Sequence, residues 1–417
     1  MNKDLKKSPA NADKLLNMSL RNTPQTLPAP SADEIELSQP LVALICKEIA
    51  ENEGKITFDK FMDLALYTPG LGYYATEKPI FGEQGDFITA PELTPLFSRC
   101  LAMQAKQVLD TLDARGDILE FGAGAGTMAC DILMELEKLD CLPNRYLISE
   151  ISPALRQRQR TRIATYAPHL IDRVKWIDEL PTSFTGVIFG NELLDALTTH
   201  RVLFDKNGNH KELYVTFQNN KLEWIEGPPS SELLASQINK VYQAHSENIN
   251  EADRYESEIN IASIKWIESL SGMLTQGVII LIDYGFSEEE FYRPERYEGS
   301  LMCHYKHRAH NNPLSHIGLQ DLTSHVNFTQ IAETAVENNL EIMGYTTQTY
   351  FLLGCGLESL LNEIDIHDTK LFMAETQPVK QLILPDEMGE LFKVIALGKN
   401  VDLTPTGFCI KNMLERL

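Results

Sequence analysis

Long hydrophobic runs and basic residues are scarce in this sequence. No apolar stretch approaches the ~20 residues that a membrane-spanning helix needs, so we expect no stable insertion into a membrane. Lysine and arginine number 37 against 59 aspartates and glutamates, which gives a formal net charge of −22. Because so negative a chain repels phosphate backbones, we also expect no nucleic-acid partner.

The sequence also lacks paired cysteines and a secretory signal. Its seven cysteines form no Cys-x-x-Cys pair, and scattered thiols in odd number are typical of a reduced, cytoplasmic protein. The N-terminus has no apolar signal core, and residues 1–30 are rich in Asn, Pro and Ser. We therefore expect residues 1–40 to form a disordered tail. The weaker alternative is a transit peptide, which in a eukaryote would deliver the protein to the mitochondrial matrix.

What the sequence does contain is enough apolar material, 43%, for a sizeable core. From residue 117 onward, apolar strands alternate with helical stretches. The predicted strands lie near residues 117–121, 145–150, 173–177, 186–190, 277–283, 341–350 and 391–398. This alternation predicts an α/β fold with a mostly parallel sheet that is covered by helices on both faces. Residues 41–66 and 94–112 have helical periodicity and precede the sheet.

Two insertions interrupt the predicted sheet. The first, near residues 201–275, begins with a hairpin whose strands 201–204 and 212–217 are joined through Asn207-Gly208, followed by a strand at 222–225. The second, residues 286–330, has no regular pattern. Long ordered loops beside the carboxyl ends of strands are usually functional. Residues 401–417 are predicted to be a C-terminal tail.

A glycine loop follows the first strand. Gly122, Gly124 and Gly126 are spaced by two, and a turn without Cβ atoms lets backbone N–H groups come close to a ligand. A dinucleotide site would have glycine where Thr127 stands, and a pyrophosphate on the helix N-terminus. Glu120, two residues before the first glycine, would repel that anion. The pattern therefore predicts a nucleoside site without a pyrophosphate.

Glu150 ends the next strand and is placed to accept two hydrogen bonds from a ribose diol. Glu120 suits the cationic methionine part of S-adenosylmethionine. Together these two acids make S-adenosylmethionine the best candidate for the ligand. The alternative is an ordinary strand–turn–helix junction, since glycine-rich junctions occur in many α/β proteins.

Separate motifs, taken with the glycine loop, resemble the MidA family of class I S-adenosylmethionine-dependent methyltransferases. They lie at residues 65–74 with 85–92, at 190–197 and at 320–328. The resemblance runs from about residue 41 to about residue 398. It implies a Rossmann-like, seven-stranded sheet whose last strand is antiparallel, as residues 113–400, behind an all-helical N-terminal cap, residues 41–112. Mitochondrial members are complex I assembly factors that methylate an arginine of a complex I core subunit.

The resemblance assigns roles to the residues of the cofactor site. The glycines would wrap the cofactor, Glu120 would meet its amino group and Glu150 its ribose, with Asn191 beside them. Asp178, just past the third strand, would bind the adenine amino group, or it is simply a surface acid. In the cap, the loop with Gly85, Asp86, Phe87 and Thr89 would close over the cofactor, or Asp86 only bonds its own backbone in a turn.

Three residues after the fourth strand are the candidates for catalysis. A guanidinium has a pKa above ~12, so carboxylates must polarise it and take up the released proton. Glu192 is the first choice for this role and Asp195 the second, beside Asn191. The alternative is that these residues cap the following helix. Enzymes that methylate amino groups of nucleic acids would have Pro-Pro-aromatic where this chain has Leu193-Leu194.

Two other groups of residues are open to more than one interpretation. Asp283, Tyr284 and His325 are further candidates for the substrate side. Five histidines fall in the second insertion: His304, His307, His310, His316 and His325. Their spacing matches no zinc motif, so we expect no metal and interpret them as loop histidines near the substrate. We expect the arginines at 156, 158, 160 and 162 to form a solvated helix face.

The leading functional prediction is a protein arginine methyltransferase that acts on a respiratory complex I subunit. A methyltransferase for a small metabolite is the second possibility, and the acidic surface suits both. The third is an assembly factor that binds S-adenosylmethionine without catalysis. A homodimer is also predicted, since cap helices in such enzymes often join protomers.

Overall fold

The computed structural model describes residues 27–76, 88–112, 116–365 and 367–417. The predicted cofactor residues Gly85, Asp86 and Phe87 lie outside the described residues, as do residues 1–26 of the predicted tail.

Helices and strands are numbered in chain order within the described residues. The helices are α1 Ala32–Glu51, α2 Phe58–Tyr67, α3 Ala90–Leu93, α4 Pro95–Leu109, α5 Thr127–Lys138, α6 Pro153–Tyr166, α7 Glu232–Ile249, α8 Ile261–Met273, α9 Glu288–Phe291, α10 Phe328–Glu337, α11 Gln348–Gly354, α12 Leu357–Leu361, α13 Thr369–Ile383 and α14 Met388–Leu391. Short 3-10 turns lie at Tyr73–Ala75, Pro168–Arg173, Pro294–Arg296, Thr406–Phe408 and Leu414–Arg416.

The strands of the described residues build three sheets. They are β1 Lys55–Thr57, β2 Asp117–Phe121, β3 Tyr146–Ser149, β4 Val174–Ile177, β5 Phe184–Asn191, β6 His200–Phe204, β7 Lys211–Gln218, β8 Lys221–Gly227, β9 Tyr255–Ile259, β10 Leu274–Phe286, β11 Met302–Tyr305, β12 Arg308–His310, β13 Asp321–Thr323, β14 Val326–Asn327, β15 Glu341–Thr347 and β16 Phe392–Lys399.

The central sheet has the strand order β15-β16-β10-β5-β2-β3-β4, with β14 paired to the end of β10. Strands β4, β3, β2, β5 and β10 run parallel, and β16, the last in the chain, is antiparallel to both β10 and β15. The predicted α/β fold with an antiparallel last strand is therefore confirmed. Two predicted extents were wrong: β15 ends at Thr347, with residues 348–350 beginning a helix, and β10 is longer than predicted, running from Leu274 to Phe286.

The core lies on both faces of this sheet. Every residue of β2 is buried, as is typical of a parallel strand between two helical layers. Ile118 packs into the cluster that contains helices α4 and α5, whereas Leu119 packs into the cluster that contains α8 and α10. Because successive side chains point to opposite faces of a strand, one apolar run supplies both layers. The polar ends of the strands are then left to form a site at one edge.

The cap begins earlier than the sequence analysis placed it. Helix α1 starts at Ala32, so the prediction of a tail through residue 40 was wrong for its last part. Ser31 and Glu34 form a capping box, in which the Ser31 hydroxyl accepts a bond from the Glu34 N–H and the Glu34 carboxylate accepts one from the Ser31 N–H. This Ser-x-x-Glu pattern marks a helix start, and it was present in the sequence.

The cap is also not purely helical. Strand β1 pairs antiparallel with β7 of the first insertion, in a sheet with the order β1-β7-β6-β9 and with β8 on β7. Ile56 of β1 is buried, and the Thr216 hydroxyl donates a bond to the Gly54 carbonyl. The insertion therefore completes the cap.

The second insertion contains more regular structure than expected. Strands β12, β11 and β13 form a three-stranded sheet within residues 286–330, and Cys303 and Leu322 of this sheet pack in one core with Leu41 and Phe61 of the cap. At the C-terminus, the Met413 N–H donates a bond to the carbonyl of Tyr345 in β15.

All seven cysteines are free, and five of them are buried. Within the described residues, no helix has the combination of length and apolar character needed to cross a bilayer.

Candidate functional site

A cavity of about 660 Å³ lies at the carboxyl ends of the parallel strands, between the central sheet and the cap. This volume is in the range of ligand pockets, and the position is where open α/β sheets bind ligands. Residues Glu120, Gly122, Ala123, Gly124, Ala125, Thr127, Ser149 and Glu150 line the side next to the glycine loop. The side next to the cap and the second insertion is lined by Tyr67, Tyr74, Asn191, Glu192, Asp195, Tyr284, Asp321 and His325.

The glycine loop turns through conformations that favour glycine. Gly122, Gly124 and Gly126 have φ values of 63°, 51° and 83°. A Cβ at Gly126 would lie 2.9 Å from the Cα of Gln159, so this glycine makes room for helix α6 and is not itself part of the cavity lining. The Gln159 side chain donates a bond to the Gly124 carbonyl. The loop is therefore braced from behind, with its backbone facing the cavity.

Glu150 lies at the end of β3, the position that the sequence predicts for it. The carboxylate is buried, with one oxygen accepting the Ser152 N–H at 2.9 Å and the other the Gln159 amide at 3.0 Å. Burial raises the pKa of Glu150, and the bonds from Ser152 and Gln159 oppose that shift. These two bonds fix the plane of the carboxylate and leave each oxygen able to accept another bond.

Glu120 lies at the end of β2 against the same cavity. Its carboxylate accepts a 2.7 Å bond from the buried Tyr146 hydroxyl. Burial raises the pKa of Glu120 to about 8, the bond from Tyr146 opposes the rise, and the charge of Glu150 adds to it. Tyr146 was not recognised from the sequence, although an aromatic residue starting the neighbouring strand is an available signal.

Glu192 has a backbone conformation that a non-glycine residue adopts rarely. Its φ is 49°, and its N–H donates a bond to the Ile282 carbonyl. Such strain costs about 1–3 kcal/mol and concentrates at functional sites. One carboxylate oxygen accepts bonds from the Asn191 amide at 3.1 Å and the Ala90 N–H at 3.4 Å. Burial, followed by the charge of Asp195, raises the pKa of Glu192 to about 8.

Asp195 is buried in the same loop. Its Oδ2 accepts a short hydrogen bond from the Tyr284 hydroxyl, and its Oδ1 is buried with no hydrogen-bond partner. Burial raises the pKa of Asp195 to about 6, against the effect of the Tyr284 bond. Asn191 likewise has a buried side-chain oxygen without a partner. The structure thus brings the three predicted catalytic residues to one wall of the cavity.

Asp283 holds this loop in place instead of facing the substrate. One oxygen of its carboxylate accepts the N–H groups of Leu193, Leu194 and Asp195 at 2.8–3.2 Å, and the other accepts the N–H of Tyr284. Four donors on one buried carboxylate explain how the strained turn at Glu192 is maintained. The prediction that Asp283 lies on the substrate side was therefore wrong, whereas Tyr284 and His325 do line the cavity.

The segment that begins at Thr89, shortly after the undescribed residues 77–87, contacts both sides of the cavity. Thr89 lines it as predicted, and the next residue, Ala90, bonds to Glu192. Two residues further, Glu92 accepts a short hydrogen bond from the Thr127 hydroxyl at the start of α5. Sequence reasoning missed Glu92, which joins the cap to the glycine loop.

Asp178 lies outside the cavity. Its side chain is 82% exposed and forms a 2.6 Å ion pair with Arg156, so the predicted adenine contact was wrong and the surface-acid alternative was right. The helix of arginines is also less solvated than expected. Arg160 stacks 4.7 Å from the centroid of the Trp176 ring, and Arg162 lies 3.5 Å from Glu92. Arg156, Arg160 and Arg162 therefore contact other residues of the described fold.

Four of the five histidines of the second insertion form two pairs, and the fifth, His307, is exposed. His304 and His325 line the cavity, whereas His310 and His316 pack against each other with ring centroids 5.9 Å apart. Burial lowers the pKa of His325 to about 3, with Arg296 and Lys393 adding to the shift, so its ring is neutral at physiological pH.

Elsewhere in the described chain, Asp59, His200 and Glu212 come close enough to share a metal ion. His200 Nδ1 lies 2.8 Å from Glu212 Oε1, a hydrogen-bond distance.

The residues present fit S-adenosylmethionine. A glycine turn with positive φ values presents its backbone to the cavity, and a fixed, buried carboxylate is available for two hydroxyl groups at Glu150. Glu120 supplies an acid for an ammonium group, and the cavity lining among the described residues contains no lysine or arginine. This donor set favours a cationic nucleoside over a nucleotide phosphate.

The raised pKa of Glu120 predicts a pH dependence of cofactor binding. A bound ammonium group favours the ionised carboxylate, so binding releases the proton that Glu120 carries below about pH 8. We expect the affinity for S-adenosylhomocysteine to increase between pH 6 and pH 7, by up to roughly 10-fold. Isothermal titration calorimetry at both values measures this change. In Glu120→Gln the affinity should be weaker and nearly independent of pH, and a wild-type protein with no pH dependence would contradict the assignment.

Comparison with known proteins agrees with this geometry. Residues 100–346 match the profile of Methyltransf_28, a family of S-adenosyl-L-methionine-dependent methyltransferases. A crystal structure from Burkholderia thailandensis, solved with S-adenosyl-homocysteine bound, superimposes with a TM-score of 0.88 at 37% sequence identity, covering 94% of this chain and all of that one.

Curated relatives extend the match to most of the chain. The sequence is 27% identical over 421 residues to the protein arginine methyltransferase NDUFAF7 homolog, mitochondrial, of Caenorhabditis elegans, with 92% of both chains covered. It is 26% identical to protein arginine methyltransferase NDUFAF7, mitochondrial, of Xenopus tropicalis, with 83% of both covered. The predicted cofactor and class I fold are thus confirmed, and the chain belongs to the Methyltransf_28 family of S-adenosyl-L-methionine-dependent methyltransferases.

Proposed function

We propose that this methyltransferase modifies an arginine side chain of a protein, and that its substrate is a subunit of respiratory complex I or a similar assembly. The observation that carries the proposal is a group of acids that line the cavity, Glu192, Asp195 and Asp321, of which Asp195 and Asp321 are buried and Glu192 is partly exposed. Among the described lining residues no lysine or arginine offsets their charge. A cationic substrate would neutralise the charge of these acids.

The same acids provide the chemistry that arginine requires. When bound, S-adenosylmethionine supplies an electrophilic methyl group on a sulfonium. Glu192 and Asp195 would hold the guanidinium by charge-assisted hydrogen bonds and orient one nitrogen toward that methyl group. The nitrogen must lose a proton as the new N–C bond forms, and Glu192, whose pKa burial raises to about 8, would accept it. The product guanidinium keeps its positive charge.

The remaining residues of the loop would support this reaction. Asn191 would fix the Glu192 carboxylate through its 3.1 Å hydrogen bond, and Asp283 would keep the loop backbone in its strained conformation. The names of the curated relatives include arginine methylation and a mitochondrial location. We infer a matrix location if the chain comes from a eukaryote and a cytoplasmic one otherwise.

The test is transfer of a labelled methyl group. Purified protein and labelled S-adenosylmethionine are incubated with lysate from cells that lack the gene, and the expected result is one discrete labelled protein whose label lies on arginine. Label only in the small-molecule fraction would contradict a protein substrate and support a metabolite methyltransferase. Cofactor binding without any transfer, in lysate in which complex I has been dissociated, would support a non-catalytic assembly factor.

A further inference from the structure

The second insertion and the cap together build the cavity wall that contains Tyr67, Tyr74 and Asp321. Tyr67 ends helix α2, Tyr74 lies in the adjacent 3-10 turn, and Asp321 begins β13. All three line the cavity, although none was among the predicted site residues. These elements are distant in sequence and meet only because the insertion packs on the cap.

The two tyrosine rings are stacked and fixed at both ends. Their planes are inclined by 18° and their centroids are 5.7 Å apart. The Tyr67 hydroxyl donates a 2.6 Å bond to the carbonyl of Ala196, the residue after Asp195. The Tyr74 hydroxyl donates a 2.8 Å bond to Asp321 Oδ1, which also accepts the Leu322 N–H at 2.9 Å. The ring pair therefore connects the Glu192 loop to Asp321 and sets the orientation of the Asp321 carboxylate.

Asp321 adds to the negative potential of the cavity. It is 3% exposed, and its charge contributes to the raised pKa of Tyr67 and Tyr74, after burial. Both hydroxyls therefore remain neutral donors. The charge of Asp321 also contributes to the raised pKa of Glu192, after burial and the charge of Asp195. A wall with stacked rings and a carboxylate in a fixed plane matches a planar, delocalised cation better than a compact ammonium, because guanidinium binds carboxylates bidentately and stacks on aromatic rings.

We propose that Asp321, oriented by the Tyr74 hydroxyl, and the stacked Tyr67 and Tyr74 rings form the wall that selects a guanidinium over an ammonium, while Glu192 acts on the reacting nitrogen. This inference rests on the proposed arginine substrate and assigns specificity to the second insertion. Asp321 contacts the substrate, and Tyr74 is a positioning residue that acts through it.

The experiment measures binding without turnover. The protein is saturated with S-adenosylhomocysteine and titrated calorimetrically with Nα-acetyl-arginine amide and, separately, with Nα-acetyl-lysine amide. The wild-type complex should bind the arginine compound at least ~10-fold more tightly than the lysine compound. Asp321→Asn should weaken arginine binding at least ~10-fold and remove most of the preference. Tyr74→Phe, which keeps the ring, should give a smaller loss that is not additive with Asp321→Asn.

Two controls separate recognition from folding and from bulk charge. The affinity for S-adenosylhomocysteine should be the same in every variant, which shows that the fold is intact. Asp253→Asn removes one charge at a fully exposed side chain and should leave arginine binding unchanged.

Each outcome bears on a different level of the proposal. If Asp321→Asn binds the arginine compound as well as the wild type does, the wall is refuted while the arginine substrate stands. Equal binding of arginine and lysine compounds by the wild type also refutes it. If the wild type binds S-adenosylhomocysteine but no guanidinium, both the wall and the proposed substrate fail.

Discussion

Replacing Glu192 with glutamine should lower methyl transfer by ~10²–10⁴-fold, the usual contribution of a positioned proton acceptor. Glutamine keeps the size of the side chain and can still accept the bonds from Asn191 and Ala90. It can neither attract a cation by charge nor accept a proton from the reacting nitrogen. The measurement is the rate of label incorporation into the protein identified from lysate, at saturating cofactor.

The interpretation of the Glu192 result depends on cofactor binding. Glu192→Gln should bind S-adenosylhomocysteine with the wild-type affinity, because Glu120 and Glu150 remain. Glu341→Gln, which removes an exposed carboxylate at the start of β15, serves as the matched control and should retain full activity. An active Glu192→Gln enzyme would exclude this residue as the proton acceptor and leave Asp195 as the candidate.

The second large effect is expected at Glu150. In Glu150→Gln the affinity for S-adenosylhomocysteine should fall by roughly 30-fold. Glutamine has one acceptor oxygen instead of two, and it lacks the negative charge that strengthens the buried hydrogen bonds from the ribose hydroxyls. The remaining side-chain oxygen can still accept the Ser152 N–H, so we expect the fold to survive. Calorimetric titration gives the dissociation constant directly.

The Glu150 variant should affect binding and not the chemical step. At saturating cofactor, its rate of methyl transfer should approach that of the wild type, in contrast to Glu192→Gln. Asp178→Asn provides a comparison within the same region, because Asp178 is exposed and outside the cavity. A loss of affinity in Asp178→Asn as large as that in Glu150→Gln would contradict the placement of the nucleoside against β3.

The sequence was informative where a local pattern alone determines the structure. The central strands could be predicted because parallel strands buried on both faces are continuous apolar runs, as in β2. The glycine turn and Glu150 could be predicted because they adjoin such strands. Helix α1 was predicted from residue 41, and its true start is marked by the Ser31–Glu34 capping box. The pairing of β1 with β7 depends on residues more than 150 positions apart and has no local signal.

The candidate site was predictable in part for the same reason. Asn191 ends β5 at the cavity and Glu192 and Asp195 follow it, so all three line the cavity as their place after an apolar run predicts. Whether an acid there points into the cavity or elsewhere depends on tertiary packing, which is why Asp178 and Asp283 were assigned wrongly. Asp178 is held by Arg156, and Asp283 by the backbone N–H groups of Leu193, Leu194 and Asp195. The charge of an acid and its position after a strand do not show whether its side chain lines the cavity.

The pairing of β1 with β7 has a consequence for synthesis on the ribosome. Helices α1 and α2 are made first, but β7 begins at Lys211, 154 positions after β1 ends at Thr57. Translation at about 5–20 residues per second would take roughly 8–30 s to cover that distance. Leu322, another partner of the cap core, emerges later still. The apolar faces of these two helices must therefore stay protected from aggregation until β7 and Leu322 have been made.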